Sequence, residues 1–286
     1  MTTASDLLVV GYDLDTGREV HIDDEPLPVW HAKSHRRGDS TLICHHCYLG
    51  DQTPTGTIVP LVVRGRHEGA RRAHFAHPPG MAPTHGHSPE TIWHSAGKHL
   101  IAHWAATMPD VQTVDIEEWL LDGRRRADVM VTFAGDTQLA VELQSQLLPD
   151  PDWLTRHQTY ADGGITDVWL WRPGLRQLPR IMLSNGLPIW KLDVEPAHLA
   201  IGYGAPHEVG HDWYLAENPA VYDWHHPPCP RDRIEFASRP LTHFRLTAAG
   251  IQLPPDVTEL LDNERDQRRA AAAEEAAQRN TPSSSP

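Results

Sequence analysis

Two acidic residues lie fourteen positions apart, each inside an apolar segment that predicts a β-strand. Asp128 lies within RADVMVTF and Glu142 within QLAVELQS, and Gly135-Asp136 between them favours a turn. An acidic side chain inside an apolar strand is costly unless it is paired or binds a metal. Two such side chains on neighbouring strands of a hairpin can share one divalent cation, and oxygen ligands favour Mg2+ or Mn2+. Because these ions polarise phosphodiesters, the pair predicts metal-dependent phosphoryl chemistry.

A predicted helix directly before these strands carries a polar stripe. Ser88-Pro89 is a favourable helix start, and the segment ETIWHSAGKHLIAHWAATM has apolar residues at helical spacing. Glu90, His94 and Lys98 follow one another at intervals of four residues, which places them on one side of the helix. The stripe can be a solvated face. Alternatively it lies over the metal site, where Lys98 would stabilise phosphate charge and His94 would act as acid, base or phosphate contact.

A second set of metal-ligating residue types lies nearer the N-terminus. Cys44-x-x-Cys47 and His74-x-x-His77 form two close pairs. This set is typical of tetrahedral Cys2His2 zinc coordination in a small ribbon-like knuckle. All four positions are then occupied by the protein, which predicts a structural or DNA-contacting zinc site.

Other histidines lie near this set. His45 and His46 lie between the two cysteines and are alternative zinc ligands. His85 and His87 lie in the loop PPGMAPTHGHSP, and no role is assigned to them. A further alternative is that the cysteines are ordinary thiols beside a packed histidine, in which case this part of the chain binds no zinc.

A third motif fits a different class of enzyme. His207-Glu208-x-x-His211 matches the pattern of zinc metallopeptidases, in which two histidines one helical turn apart bind zinc and the glutamate is the base. The motif needs a helix, and Gly204 and Pro206 directly upstream argue against a helix that continues through it. Since the chain contains 20 histidines, a chance match is plausible, and a peptidase is kept as a minor alternative.

Composition limits the remaining possibilities. With 286 residues, 40% of them hydrophobic, the chain can bury one sizeable core and a small second domain. No signal peptide and no membrane span are expected, and three cysteines are too few for a disulfide framework, which favours the cytoplasm. The net charge of -13 means that nucleic-acid binding needs a local basic track. Candidates, which can equally be solvated residues, are Arg64, Arg66, Arg71, Arg72 and Arg124–Arg126.

The order of predicted elements indicates an α/β fold. A helix, three strands, a second helix opened by Asp150-Pro151 and a further strand predict a mixed sheet built partly from a meander. We expect a β-rich module over 1–80 and an α/β core over 88–175. An irregular extension over 176–255 and a charged helix with a disordered tail over 256–286 would follow.

Taken in order, the motifs resemble the CoiA-like competence protein family. They are Cys-x-x-Cys, His-Phe-Ala-His, Glu-x3-His-x3-Lys, Arg-Ala-Asp-Val and Glu-x-Gln-Ser, followed by a helix with Arg156 and Tyr160, over roughly residues 10–173. Members of the family are regarded as having a nuclease domain of the PD-(D/E)XK superfamily. The resemblance implies a restriction-endonuclease-like mixed-sheet core after a small N-terminal zinc-binding module. It also implies that Asp128 and Glu142 bind the metal with support from Glu90.

One position departs from the superfamily pattern. The lysine that usually follows the second acid by two residues is Gln144 here, as is normal for the CoiA-like group. Gln144 would orient the nucleophile by hydrogen bonds, and Lys98 would supply the missing positive charge. The resemblance implies a nuclease that hydrolyses DNA in uptake, recombination or defence, with DNA and proteins of those processes as partners. The alternative is a weakly active or inactive DNA-binding accessory protein for recombination.

Overall fold

The chain divides into two compact units, Met1–Ile101 and Ala102–Pro286. The boundary falls within one helix, α3 (Pro89–Ala106), so the predicted domain limits at 80 and 88 stay a prediction. The computed structural model describes residues 7–35, 40–66, 72–83, 86–120, 126–175, 178–179, 181–182, 187–203, 236–263, 266–267 and 270.

The first unit is built from short strands and helices. Three strands form an antiparallel sheet in the order β2-β1-β3, and β4 pairs with β5 in a separate antiparallel ribbon. Trp30 and Phe75 are buried and meet edge to face, and the Trp30 indole donates a hydrogen bond to the carbonyl of Ile22. The elements before α3 are β1 (Val10–Asp13), β2 (Arg18–His21), α1 (Leu27–Lys33), β3 (Leu42–Ile43), α2 (His45–Leu49), β4 (Val62–Arg64) and β5 (His74–Ala76).

Helix α3 begins where the sequence predicts. Pro89 is its first residue, a position where the missing N–H of proline costs nothing because that N–H has no partner within the helix. Ile92, Trp93, Ala96 and Ile101 are buried, in agreement with their helical spacing. The predicted amphipathic helix is therefore confirmed.

The second unit contains a mixed sheet of seven strands in the order β12-β11-β10-β9-β8-β7-β6. The strands β6, β7 and β8 form an antiparallel meander, whereas β9 runs parallel to β8 and follows it through helix α4. Their bounds are β6 (Val111–Trp119), β7 (Arg126–Phe133), β8 (Gln138–Gln144), α4 (Asp150–Asp162), β9 (Thr166–Trp171), β10 (Pro188–Asp193), β11 (His198–Tyr203) and β12 (Ala237–Pro240). The predicted mixed α/β fold, with its meander, is confirmed.

Helix α4 is fixed to this sheet by apolar packing. Tyr160 is fully buried in a cluster with Ala127, Met130, Ala140 and Ile165, which joins the helix to β7 and β8. A second cluster contains the tryptophans of β9 and the first apolar residue of α4. Its buried members are Leu148, Trp153, Trp169, Trp171, Leu178, Ile181, Met182 and Ile189. The two clusters hold the strands that carry the acidic pair.

The stretch predicted as an irregular extension contributes three strands to the same sheet. β10 pairs in parallel with β9, and β11 and β12 continue the sheet in antiparallel fashion. The expectation of an irregular extension was wrong for 188–203 and 237–240. The segments LPIWKL and HLAIGYG are strand-like in sequence, but their place in the core sheet was not predicted. A small hairpin of β13 (Arg245–Thr247) and β14 (Gly250–Gln252) and a helix over 255–263 follow.

Some predictions concern residues that the structure does not describe. The peptidase-like motif, His207-Glu208-x-x-His211, lies outside the described residues, as does the tail beyond residue 270. In the part of the chain that is described, no helix combines the length and the apolar character needed to cross a bilayer.

Candidate functional site

The acidic pair is brought together by the register of β7 and β8. The paired register of β7 and β8 ends with Val129 opposite Val141. Asp128 and Glu142 are the next residues along the two strands, at the same end of the paired segment. The two carboxylates that the sequence predicts as metal ligands therefore lie at corresponding positions of neighbouring strands.

Both carboxylates accept hydrogen bonds from the protein. Oδ2 of Asp128 accepts one from the backbone N–H of Leu143, 2.8 Å away. Glu142 is only 4% exposed, and its Oε1 accepts a hydrogen bond from the phenol of Tyr160. Its Oε2 lies 3.8 Å from a guanidinium nitrogen of Arg156. Tyr160 and Arg156 stabilise the buried carboxylate of Glu142, and both belong to α4, the helix that the sequence motifs also include.

Two carboxylates on neighbouring strands are the kind of ligands that a magnesium-type cation takes. Mg2+ is commonly held by one or two carboxylates, with water and substrate phosphates as the remaining ligands. The groups of three or more metal-ligating side chains among the described residues include neither Asp128 nor Glu142. The side chain of Glu90, the third predicted ligand, is not described, although its backbone lies in the first turn of α3. Binding of Mg2+ or Mn2+ by these three residues accordingly remains a prediction.

Gln144 lies two residues after Glu142 on β8, and alternation of side chains along a strand places both on one face. Its amide nitrogen lies 3.4 Å from the carbonyl oxygen of Gln146, to which it donates a hydrogen bond, and the side chain is half-buried. The role of Gln144 in orienting a nucleophile remains a prediction.

The polar stripe of α3 is not a solvated face throughout. Lys98 is 4% exposed and His94 is partly buried, so the alternative of a solvated stripe is wrong for Lys98. A buried ammonium group needs compensating negative charge, because its desolvation is costly. The predicted contact of Lys98 with phosphate remains a prediction.

A four-residue cluster in the first unit has the composition of a zinc site. The ligand atoms of Cys44, Cys47, His77 and His87 all lie within 4.8 Å of one another. Nε2 of His87 is 3.2 Å from Sγ of Cys44 and 3.6 Å from Sγ of Cys47, and Nε2 of His77 is 3.6 Å from Sγ of Cys47. Sulfur and nitrogen ligands of one tetrahedral zinc ion are about 3.5 Å apart. The cluster can therefore hold a metal ion such as zinc.

The electrostatics of the cluster also suit a cation. Burial lowers the pKa of His77 to about 4, with a further contribution from the neighbouring His87, whose own pKa is lowered by burial. Both rings are thus in the neutral form that binds metals. The pKa of Cys44 is raised by its hydrogen bond with Cys47 and by burial, both of which favour the protonated thiol, and the negative charge of Cys47 acts in the same direction. A bound cation would offset that negative charge.

The fourth ligand differs from the prediction, because His87 takes the place given to His74. Nδ1 of His74 lies 2.8 Å from the backbone oxygen of Arg72, and the ring is buried outside the cluster. His74 begins β5, and side chains three residues apart in an extended chain point to opposite faces. His77 can therefore face the cysteines only if His74 faces away from them.

The two alternative ligands also lie outside the cluster. Nδ1 of His45 is 3.1 Å from Oε2 of Glu19, and His46 is buried with its ring 5.1 Å from that of His87. Both belong to α2, which starts directly after Cys44. The rings of His45 and His46 therefore lie near the cluster but are not among its ligands.

A carboxylate that the sequence did not single out supports the cluster. Oδ2 of Asp51 lies 3.2 Å from Nδ1 of His87, on the opposite side of the ring from the cysteines. The same oxygen accepts a 3.4 Å hydrogen bond from the backbone N–H of Ser88. A carboxylate beside the second nitrogen of a metal-binding histidine fixes the orientation and tautomer of the ring. Asp51 follows Cys47 by four residues, a proximity that could have suggested this role.

The identity of the fourth ligand can be tested by two matched substitutions. We expect the purified His87→Ala variant to lose its stoichiometric zinc, because three ligands remain and Asp51 no longer orients a fourth. His74→Ala should retain about one zinc per chain. The measurement is the number of zinc ions per chain, determined by elemental mass spectrometry. Retention by His87→Ala together with loss by His74→Ala would restore the original ligand set.

Comparison with known proteins identifies a domain in the middle of the chain. Residues 90–181 match the family described as "Competence protein CoiA, nuclease-like domain". This segment runs from the first turn of α3 through β9 and defines a nuclease-like domain. The resemblance to the CoiA-like competence protein family is confirmed over this segment. No curated protein matches the sequence.

Proposed function

We propose that the protein is a metal-dependent nuclease of the PD-(D/E)XK type that hydrolyses phosphodiester bonds of DNA. The observation that carries the proposal is that Asp128 and Glu142 directly follow the last paired residues of β7 and β8, within the segment that matches the nuclease-like domain. Two carboxylates at corresponding positions of neighbouring strands are a suitable pair of ligands for Mg2+ or Mn2+. The family description supports a role in competence, and DNA taken up or recombined is then the substrate.

The residues of the chain would divide the chemistry among them. Asp128 and Glu142 would hold the divalent cation, which when bound supplies Lewis-acid activation of water and of the scissile phosphate. Glu90 would support the same cation, and Gln144 would orient the attacking water by hydrogen bonds. His94 and Lys98 would contact the phosphate, where the charge of Lys98 stabilises negative charge that develops in the transition state. The cysteine and histidine cluster would hold zinc in a structural role.

The proposal is tested by cleavage of labelled DNA. The full-length, zinc-loaded protein is incubated with single-stranded and double-stranded oligonucleotides in Mg2+, in Mn2+ and without added cation, with RNA of the same sequence as a separate substrate. The double variant Asp128→Ala/Glu142→Ala, purified in parallel, accounts for contaminating nucleases. We expect cation-dependent cleavage of DNA by the wild type alone. Equal cleavage by both proteins, or no cleavage with any cation, contradicts a catalytic function.

A second function is favoured by the partners of Glu142. The carboxylate is already bound to Tyr160 and lies near Arg156, and Gln144 stands where a lysine is usual. A site with these features can keep the nuclease fold and act as a DNA-binding accessory protein for recombination. That function predicts a shift of the same oligonucleotides in a binding assay with no cleavage product. The cleavage experiment therefore separates the two functions.

A further inference from the structure

Glu19 is a largely buried carboxylate that neither the sequence motifs nor the family match includes. It lies on β2 in the first unit, and its side chain is 17% exposed. An acidic residue on a short strand is expected to face solvent unless neighbouring groups stabilise its charge. The surroundings of Glu19 therefore need an explanation.

The two oxygens of Glu19 contact two different helices. Oε1 accepts a 2.8 Å hydrogen bond from the hydroxyl of Ser95 and lies 3.0 Å from Nε2 of His99, both on α3. Oε2 lies 3.1 Å from Nδ1 of His45, the first residue of α2. One carboxylate thus joins the N-terminal sheet to α3 and to the helix that follows the zinc-ligand candidate Cys44.

The same carboxylate stays charged despite its burial. Burial acts to raise the pKa of Glu19, but the hydrogen bond with His99 and the positive charge of Lys98 outweigh it. The charges of His45 and His99 act in the same direction, so the pKa lies well below its usual range. Glu19 therefore provides negative charge close to the buried ammonium group of Lys98.

Helical spacing relates these contacts to the proposed site. Lys98 and His99 follow Ser95 by three and four residues, so the three side chains lie on one side of α3. Lys98 also belongs to the stripe of Glu90 and His94, at intervals of four residues. Lys98 is therefore shared between the side of α3 that meets Glu19 and the stripe assigned to phosphate contact. A group that fixes the first side also fixes the rotation of the helix that presents the second.

We propose that Glu19 is a positioning residue that holds Lys98 and its helix face in place for phosphate contact, an inference that rests on the proposed nuclease function. The contacts of the carboxylate with Ser95 and His99 fix the helix, and its charge offsets the burial of Lys98. Glu19 then acts on catalysis through Lys98, separately from any zinc-dependent stability of the N-terminal unit.

The experiment compares Glu19→Gln with Glu25→Gln. Gln keeps the size of the side chain and one oxygen acceptor but removes the charge. Glu25 is exposed and six residues away, so it controls for the same chemical change. We expect Glu19→Gln to lower the single-turnover rate constant for DNA cleavage at least about tenfold, which is the effect of losing one charge-assisted interaction. DNA affinity and zinc content should change less than about twofold.

The single-turnover reaction separates positioning from folding. A purely structural role would lower the reaction amplitude, which reports the fraction of active molecules, and would leave the rate constant unchanged. The Glu19→Asp variant keeps the charge on a shorter stem, and we expect its rate constant to lie between those of Glu19→Gln and the wild type. A Glu19→Gln rate constant equal to that of Glu25→Gln overturns the inference.

Hydrogen exchange gives a measurement that does not need activity. We expect the amides of 92–101 to exchange faster in Glu19→Gln than in Glu25→Gln, because the helix loses its charged contact. Equal exchange and equal cleavage rates would mean that Glu19 does not fix the helix. If the wild type cleaves no DNA, the nuclease proposal and the catalytic consequence of Glu19 both fail, and hydrogen exchange alone decides whether Glu19 anchors α3.

Discussion

Replacement of Asp128 by Asn is expected to lower the single-turnover rate constant of DNA cleavage about a thousandfold or more. Asn has nearly the same shape and its amide oxygen can still accept the hydrogen bond from Leu143, so the strands should pair as before. It lacks the negative charge that attracts a divalent cation. A metal contributes several kcal/mol of charge stabilisation, and about 4 kcal/mol corresponds to a factor of roughly a thousand in rate. The measurement is the cleavage rate over a range of Mg2+ concentrations.

The matched control for this prediction is Asp136→Asn. Asp136 lies in the exposed turn between β7 and β8 with φ of 60°, a backbone conformation that Asn tolerates well. Its substitution should leave both the rate and the Mg2+ dependence unchanged. If Asp128→Asn cleaved DNA at the rate of Asp136→Asn, Asp128 would not be a metal ligand. Recovery of activity at high Mg2+ or Mn2+ would instead support weakened metal binding.

Substitution of Cys44 by Ser is expected to remove zinc and to unfold much of the first unit. Structural zinc binds zinc-finger peptides with apparent free energies of about 10–16 kcal/mol at neutral pH, which is comparable to the whole stability of a domain. The short strands and helices of the first unit form a small core, so we expect that this free energy is needed. The second unit has its own seven-stranded sheet and should remain folded.

Hydrogen exchange resolved by peptide, together with the zinc content, tests this prediction. Protection should be lost in 7–35 and 40–66 and retained in 126–171. Cys229→Ser is the matched control, because this third cysteine, which lies outside the described residues, has no ligand partner in the sequence patterns. It should retain both zinc and protection. A Cys44→Ser protein with full zinc content, or with unchanged protection in the first unit, would contradict a structural zinc site.

Local patterns were sufficient to predict the elements that carry the acidic pair. The apolar runs RADVMVTF and QLAVELQS, with a turn between them, predict an antiparallel hairpin, and the hairpin brings Asp128 and Glu142 to the same end of its two strands. The start of α3 at Pro89 follows from the same kind of local rule, since capping and proline preferences depend on neighbours in sequence. These features need no knowledge of distant parts of the chain.

The parts that were missed depend on contacts between distant residues. His87 reaches the cysteines across 40 residues of sequence, and no spacing rule distinguishes it from His74 before the chain is folded. Glu19 reaches Ser95 and His99 across about 80 residues, so its burial could not be read from the polar strand on which it lies. The segments of β10 and β11 are strand-like in sequence, but their place in the core sheet depends on their pairing partners and was not predicted. The short strand β12 was not predicted.

His87 is followed at once by Ser88 and by the first residue of α3. A metal ion bound to this imidazole would therefore hold the backbone two residues from the helix start, and Asp51 contacts both His87 and the N–H of Ser88. Zinc binding and the ordering of the first turn of α3 are then coupled, and each stabilises the other by the same free energy. A chelator that removes zinc would therefore make the turn less ordered without contacting it. Any ligand that orders the turn would slow the release of zinc.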